Sequence, residues 1–287
     1  MKILNRKIGL GESVQIKMDF ARLNTRSKIE VPIIVERGKK EGPCILLIGG
    51  LHGDETNGVE IVRQIVAKGL NKPEAGTVIC IPLLNVFGFL SLTREFPDGR
   101  DLNRMFPGSN TGSLASRFAY HLMKEVIPHI DFCIDYHTGG AQRFNYSQIR
   151  IDEGCEETFK LAKIFASPYI VYSKSPERTF RKSITKLGKK VLLFEGGKSL
   201  NLDKNVTNSV TNNYYIAFLF SRNAKKLYIS INMGAQQFFD LHGENNECIQ
   251  KIKFVKEKIE QEYAMDAPSG IFENPQLKEV VRTTEQF

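Results

Sequence analysis

The sequence predicts an α/β domain with a mostly parallel β-sheet. Continuous apolar runs of strand length, such as "CILLIGG" (44–50) and "TVICIPLLN" (77–85), alternate with segments whose apolar residues recur at helical spacing. Apolar runs of this kind are typical of strands that are covered on both faces. A chain of 287 residues, 41% of them hydrophobic, is long enough to bury such a core.

The elements follow in order from the N-terminus. Short strands are expected in "SVQIKMDF" (13–20) and "KIEVPIIVE" (28–36), because β-branched residues there partly alternate with polar ones. The first buried run, 44–50, leads into a helix with apolar residues at helical spacing: Val59, Val62, Ile65, Val66 and Leu70. A long polar loop, 91–112, follows the second buried run.

The same types of element continue in the second half of the chain. "SLASRFAYHLMKEVIPHI" (113–130) predicts a helix capped by Ser113, and "CEETFKLAKIFA" (155–166) predicts another. The third and fourth buried strands are "DFCIDYHTGG" (131–140) and "KKVLLFEGG" (189–197). After about Val206 the pattern loses clear boundaries, although 248–263 predicts an exposed helix.

Composition and charge narrow the class of protein. The net charge of +8 favours an anionic substrate, although much of the excess lies in solvated-looking stretches such as 178–190. No recognised nucleic-acid-binding motif, signal peptide or membrane-length apolar run is present, so we expect neither a nucleic-acid nor a membrane partner. Five cysteines without a C-x-x-C pair indicate reduced thiols in a cytoplasmic protein.

Residues with metal-binding or acid–base chemistry follow three of the predicted strands. His52 and Glu55 come just after the first buried run, His137 ends the third strand, and Glu195 ends the fourth. Ligands of α/β sheets collect beyond the carboxyl ends of the strands. Two imidazoles and one carboxylate form a complete protein ligand set for a catalytic zinc ion, with one position left open for water. The sequence therefore predicts one Zn²⁺ per chain, held by His52, Glu55 and His137.

Glu195 and several arginines are candidates for the two groups that a zinc hydrolase still needs, a general base and a cation for the oxyanion. A half-buried carboxylate beside a metal suits a general base that takes a proton from water. Asp135, a backbone carbonyl or Asp54 is a candidate partner for a ligating histidine. The polar loop holds three arginines: Arg94, Arg100 and Arg104. One of them would bind a carboxylate of the substrate, and another would stabilise the oxyanion that forms during the reaction. Each of these residues alone is also compatible with a solvated surface, and only their combination indicates a site.

Four motifs in this order resemble the succinylglutamate desuccinylase/aspartoacylase family, a branch of the zinc carboxypeptidase-like superfamily. They are "GGLHGDETNG" (49–58), "PDGRDLNRMFPG" (97–108), "DYHTGG" (135–140) and "LLFEGG" (192–197). The resemblance runs from about Lys28 to Leu202. It implies a mixed, largely parallel sheet sandwiched by helices, with residues 1–205 forming a zinc-dependent catalytic domain.

The resemblance also implies roles for single residues. It carries zinc ligation onto His52, Glu55 and His137, the base role onto Glu195, and oxyanion stabilisation onto Arg94. Five further residues are implied to bind the substrate or line its pocket: Asn103 and Arg104 of "DLNR", Arg181, Arg143 and Asn145. Family members use an arginine upstream of the strand that carries the general base. Arg181 is assigned to this role, and Arg178 is the alternative.

Residues 206–287 depart from the family pattern. Members usually continue into a C-terminal β-rich domain that roofs the active site, whereas here "DAPSGIF" (266–272) begins such a pattern shortly before the sequence stops. We interpret 206–287 as a short, diverged or truncated C-terminal region.

The leading hypothesis is a zinc-dependent hydrolase that cleaves the amide bond of a small anionic N-acyl amino acid. One alternative is a zinc carboxypeptidase or amidase acting on peptides or cell-wall fragments. Another is a catalytically weak zinc-binding regulatory protein. The acyl group, the amino acid and formation of a homo-oligomer stay open at this point.

Overall fold

A computed structural model describes residues 1–22, 28–165 and 167–212, together with 217–218 and 229–230. These residues belong to one unit, Met1–Met233. Most of the region interpreted as diverged or truncated, 206–287, lies outside the described residues. The helix expected over 248–263 and the segment 266–272 lie outside them as well.

The described strands and helices alternate as expected for an α/β protein. The strands are β1 (Lys2–Ile3), β2 (Arg6–Lys7), β3 (Ser13–Arg22), β4 (Lys28–Arg37), β5 (Lys40–Gly49), β6 (Ala75–Ile81), β7 (Phe132–Gly139), β8 (Asn145–Ile151), β9 (Tyr169–Tyr172), β10 (Lys190–Lys198), β11 (Ala217–Phe218) and β12 (Ile229–Ser230). The α-helices are α1 (Thr56–Ala67), α2 (Val86–Ser91), α3 (Leu114–Glu125), α4 (Glu156–Phe165), α5 (Phe180–Thr185) and α6 (Lys204–Asn212).

Eight strands form one sheet in the order β3-β4-β6-β5-β7-β10-β8-β9. The four central strands, β6, β5, β7 and β10, run parallel to one another. At one edge, β4 is antiparallel to β6, and β3 is antiparallel to β4. At the other edge, β8 is antiparallel to β10, and β9 is parallel to β8. The sheet is therefore mixed and largely parallel, which confirms the predicted fold class.

Alternating residues of the central strands pack on opposite faces of the sheet. Leu47 lies level with Cys80 and Ile134, and all three belong to the core beneath α1, α4 and α6. The neighbouring Leu46 and Ile48 belong to the opposite core layer, which α3 and α5 cover through Phe118 and others. Burying one such side chain contributes about 1.5–3 kcal/mol, so the unbroken apolar runs are explained by burial on both faces.

In two of the predicted elements, a proline explains why the element ends earlier than expected, whereas the first helix ends at Ala67, before Leu70, without a proline. β6 ends at Ile81 because Pro82 has no N–H for a sheet hydrogen bond. The helix expected over 113–130 ends at Glu125 and is followed by a separate 3-10 turn, Ile127–His129, which contains Pro128. Ser113 caps α3, as predicted, because its side chain accepts a hydrogen bond from the Ser116 amide.

Elements that the sequence did not predict complete the sheet and its cover. β8, α5 and α6 fall in segments where polar residues interrupt the apolar ones, and β9 is an apolar run of only four residues, "YIVY". Part of the solvated-looking stretch 178–190 is in fact α5, in which Phe180, Arg181 and Ile184 are buried. Within the described residues, no helix has the length and apolarity that a bilayer crossing requires.

Candidate active site

The loop between β5 and α1 carries His52 and Glu55, and two glycines shape it. Gly50 has φ +61°, a conformation that costs little only without a side chain. A Cβ at Gly53 would collide with the main chain of Gly88 in α2. The chain therefore turns sharply beyond the carboxyl end of β5. His52 and Glu55 are each only 2% exposed as a result.

His52, Glu55 and His137 converge at this end of the sheet. One ligand atom from each residue lies within 4.8 Å of the others. Nδ1 of His52 is 2.7 Å from Oε1 of Glu55, and Nδ1 of His137 is 2.8 Å from Oε2. The Thr138 amide donates a further hydrogen bond to Oε2, at 3.1 Å, which holds the carboxylate in place. Three residues from two segments of the chain thus face one point.

The second nitrogen of each imidazole faces an aspartate. Nε2 of His137 lies 2.9 Å from Asp135, and Nε2 of His52 lies 3.2 Å from Asp101. With a metal bound at Nδ1, a carboxylate in this position would accept the proton of Nε2 in a hydrogen bond and hold the ring in the orientation needed for ligation. Asp135 was anticipated as such a partner. Asp101 was not, because it lies 49 residues from His52 in the sequence.

The electrostatics of the cluster formed by His52, Glu55 and His137 favour a bound cation. Burial lowers the pKa of His137, but the charges of Asp135 and Glu55 outweigh it and raise that pKa well above the ordinary value. Burial raises the pKa of Glu55, yet the adjacent His52 and His137 bring it well below the usual range. The carboxylates therefore create a field that attracts positive charge. Two imidazoles and one carboxylate in such a field fit a zinc ion.

Asp101 also connects the cluster with Arg94. Its Oδ2 accepts hydrogen bonds from Nε and Nη2 of Arg94, at 3.2 and 3.1 Å. Arg94 Nη1 donates to Oε1 of Glu55 at 3.2 Å. Three of the five guanidinium N–H groups have these partners, and the side chain is about one-third exposed. Arg94 is thus oriented beside the cluster, where it can contact a ligand in the cavity.

Glu195 lies beside the cluster because β10 pairs with β7. Glu195 and His137 are level in these parallel strands and share a face of the sheet. Oε2 of Glu195 accepts a hydrogen bond from Asn145 at 2.9 Å, and Oε1 lies 3.4 Å from Arg150 Nη1. Burial raises the pKa of Glu195, and the opposing charges of His137 and Arg150 do not cancel this rise.

Asn103 and Arg104 form one wall of the cavity. Oδ1 of Asn103 accepts a hydrogen bond from the Phe180 amide at 2.8 Å, so the amide nitrogen is the group suited to a ligand. The Arg104 guanidinium donates to the Asn103 carbonyl at 2.9 Å, and about half of its side chain is exposed. This pair presents N–H donors of the kind that bind carboxylates.

Arg181 forms part of another wall. Its Nε donates to Ser175 Oγ, and its Nη2 donates to the Ser173 carbonyl at 2.6 Å. Its Nη1 is buried without a hydrogen-bond partner. An unpaired buried donor of this kind suits a ligand oxygen. Arg178, the alternative to Arg181, does not line the cavity.

Other candidates from the sequence occupy less central positions. Arg143 is exposed and donates weakly to Gly140 O, at 3.4 Å, at the edge of the cavity. Arg100 contacts the Asp98 carbonyl instead and does not line the cavity. The carboxylate of Asp54 is buried but partners neither His52 nor His137, whose second nitrogens face other aspartates.

One cavity of about 710 Å³ joins these groups. Ten residues singled out in the sequence line it: His52, Glu55, Arg94, Asn103, Arg104, His137, Arg143, Asn145, Arg181 and Glu195. Asp101, Arg150 and Lys174 line it too and were not among the residues predicted from the sequence. The motif "GRDLNR" was a signal for Asp101. No comparable signal marked Arg150 or Lys174.

Comparisons with known proteins agree with this architecture. The N-alpha-acetyl-L-2,4-diaminobutyric acid deacetylase of Halomonas elongata is 29% identical over 202 residues, which cover 66% of this chain and 58% of that protein. A succinylglutamate desuccinylase/aspartoacylase structure from Rhodobacter sphaeroides superposes with a TM-score of 0.61 at 26% identity, over 70% of this chain and 62% of that one. The chain thus spans about three-fifths of the length of these proteins.

A third likeness concerns the fold alone. A metallo-carboxypeptidase structure from Burkholderia cenocepacia matches with a TM-score of 0.54 at 14% identity, over 70% of this chain and 62% of that one. The sheet and its helical cover are therefore of the carboxypeptidase type.

Two family models match the sequence. The MrcB-like, N-terminal domain matches residues 201–285, less than a third of the chain, and covers most of the region interpreted as diverged or truncated. The succinylglutamate desuccinylase/aspartoacylase catalytic domain matches residues 41–219, which is more than half of the chain and includes all four sequence motifs. The chain therefore belongs to the succinylglutamate desuccinylase/aspartoacylase family.

Proposed function

We propose that this protein is a zinc-dependent hydrolase that cleaves the amide bond of a small anionic N-acyl amino acid. One observation carries the proposal: His52, Glu55 and His137 converge beside Glu195 in a cavity that is also lined by arginines. Within the proposal, residues 1–205 are the catalytic domain, one Zn²⁺ binds per chain, and the protein is cytoplasmic. The described cysteines are all unpaired, as expected in a reducing compartment.

His52, Glu55 and His137 would hold the zinc ion, with Asp101 and Asp135 fixing the two imidazoles. When bound there, zinc supplies Lewis acidity that lowers the pKa of a ligated water and polarises a carbonyl. Glu195 takes a proton from the attacking water and passes it to the leaving nitrogen. Burial of Glu195 raises its pKa, which makes it a better proton acceptor than an exposed carboxylate.

Positive groups on several walls of the cavity support the proposal of an anionic substrate. Arg94, oriented by Asp101, donates to the oxyanion that develops during attack. Asn103 and Arg104 hold the carboxylate of the amino acid. Arg181 offers a buried N–H group to another oxygen of the substrate, and Arg143 lies at the rim. The similarity to a deacetylase of an N-acetylated amino acid supports this class of substrate.

Metal analysis followed by hydrolysis assays tests the proposal. The purified protein should contain about one zinc ion per chain, since its ligand set matches that of catalytic zinc sites. A panel of N-acetyl and N-succinyl derivatives of acidic, neutral and basic amino acids should then give hydrolysis, with the highest kcat/KM for anionic compounds. A second panel of peptides with free C-termini separates deacylase from carboxypeptidase activity. Zinc binding without hydrolysis of either panel would contradict the proposal and favour a regulatory protein.

A further inference from the structure

Two side chains of β8 contact the carboxylate of Glu195, one on each oxygen. We propose that Asn145 and Arg150 are positioning residues that hold this carboxylate in a single orientation toward the cavity. The proposal rests on the proposed function, in which Glu195 is the general base. It gives Asn145 a different task from the direct substrate contact that the family resemblance implies, and it adds Arg150.

The path of β8 explains how both residues reach the same carboxylate. Along β10 the pairing proceeds from Glu195, level with Gln148, to Gly197, level with Asn145. Three steps along β8 therefore match two along β10, so β8 carries one extra residue there. Ile149 and Ile151 point into the core, and simple alternation would send Asn145 to that same face. The extra residue re-aims Asn145 toward the face that bears Arg150.

The two contacts restrain rotation of the Glu195 carboxylate about its terminal side-chain bond. Asn145 Nδ2 donates to Oε2 at 2.9 Å, and Arg150 Nη1 lies 3.4 Å from Oε1. The terminal torsion of a glutamate is broad, so an unanchored carboxylate would sample many orientations. Each carboxylate oxygen accepts about two hydrogen bonds, so one contact per oxygen leaves a lone pair for a proton. The restraint therefore orients Glu195 without blocking it.

Kinetics of single variants distinguish positioning from substrate binding. Arg150→Met and Asn145→Ala should each lower kcat by ~10-fold to ~100-fold with little change in KM, because small misplacements of a catalytic group reduce rates on this scale. Arg150→Lys keeps a donor and should recover part of the lost kcat. Arg63→Met is the matched control, because it removes an arginine from an exposed pair with Glu60 on α1, outside the cavity.

A readout that needs no activity tests the contacts themselves. Double-mutant cycles that combine each variant with Glu195→Ala should give non-additive shifts in Tm, because the paired groups interact directly. Arg63→Met combined with Glu195→Ala should be additive.

The possible outcomes separate this inference from the proposed function. Non-additive cycles together with a loss of kcat support the inference. A rise in KM at unchanged kcat, or additive cycles, overturns it. If the wild-type protein hydrolyses nothing in either panel, the proposed function fails, and the cycles still decide whether Asn145 and Arg150 hold Glu195.

Discussion

His52 and His137 each place one ring nitrogen near Glu55 and the other near an aspartate. Each carboxylate contact favours a positive charge on or between the imidazoles. A metal ion bound between them would satisfy the three inward-facing groups at once, whereas removal of any one of these groups would leave an incomplete site. The two histidines and Glu55 should therefore act together in metal binding.

Replacing His52 with alanine should abolish stoichiometric zinc binding, because two protein ligands remain where three are needed. Metal analysis of the purified variant measures this directly. His121→Ala, which removes a histidine outside the cavity on α3, should leave the zinc content unchanged. Full zinc occupancy in His52→Ala would remove this residue from the ligand set.

Glu195→Gln should keep the zinc content but lower kcat by ~10²-fold to ~10⁴-fold, since the amide cannot accept a proton and general-base catalysis contributes on that scale. The change preserves the size of the side chain and its contact with Asn145. Zinc analysis and steady-state kinetics on the same preparation separate the two effects. Near-normal turnover would mean that another group serves as the base.

The raised pKa of Glu195 also affects stability. Its ordinary pKa is 4.5, and burial raises the folded-state value above this, so the folded state binds the proton more tightly than the unfolded chain. The stability associated with the protonated group is fully present below pH ~4.5 and is lost as pH rises through the folded pKa. In metal-free protein, Glu195→Gln should thus raise Tm at pH 8 and change it little at pH 4. Thermal unfolding at both values tests this, and equal shifts would contradict it.

At the scale of elements, the strand ends and their connections place the site. The connection from β7 to β8, residues 140–144, begins with a tight turn, in which Ala141 and Gln142 have φ of +53° and +57° and the Arg143 amide donates to Gly140 O. A turn with positive φ at both central residues normally contains Asn-Gly, because other residues are strained in that conformation. Gly140, Ala141 and Arg143 also line the cavity.

Replacing Ala141-Gln142 with Asn-Gly should stabilise the protein by about 1 kcal/mol, because it relieves this strain. The midpoint of urea unfolding measures the change. Gln148→Gly provides a contrast, since it places glycine within β8 and should be destabilising by about 0.5–1 kcal/mol. A lower midpoint for the Asn-Gly variant would show that the native side chains make compensating contacts.

At the scale of the whole molecule, one sheet separates two core layers that both contain cysteine. Cys44 and Cys133 lie in the layer beneath α3 and α5, and Cys80 lies in the other. Burial raises the pKa of Cys44 to about 12, and it raises the pKa values of Cys80 and Cys133 as well. These thiols are therefore protonated and shielded, whereas Cys155 is exposed.

Thiol labelling should report on unfolding of the sheet as a unit. In a Cys155→Ser/Cys248→Ser background, reaction of the three buried thiols with a disulfide reagent should follow the same urea transition as circular dichroism. The physical reason is that the thiolate is the reactive form and needs exposure. Earlier reaction of Cys80 than of Cys44 and Cys133 would mean that one layer opens before the other.

The parts of the fold with the strongest sequence signal were predicted correctly. β5, β7 and β10 are short apolar runs covered on both faces, so burial alone explains their composition. The polar residues at their ends therefore stood out. β8 was missed because Asn145, Gln148 and Arg150 interrupt its apolar residues. α5 was misread as solvated because Phe180 and Ile184 lie among lysines and arginines.

By itself the sequence determined the fold class, the family, and the set of polar residues that follow buried strands. Those features depend on local periodicity and short motifs, which need no knowledge of distant residues. Only the tertiary structure decided that Asp101 contacts both His52 and Arg94, and that Asn145 and Arg150 contact Glu195. These partnerships join segments up to 50 residues apart, and they depend on strand register and on one extra residue in β8, which no local pattern encodes.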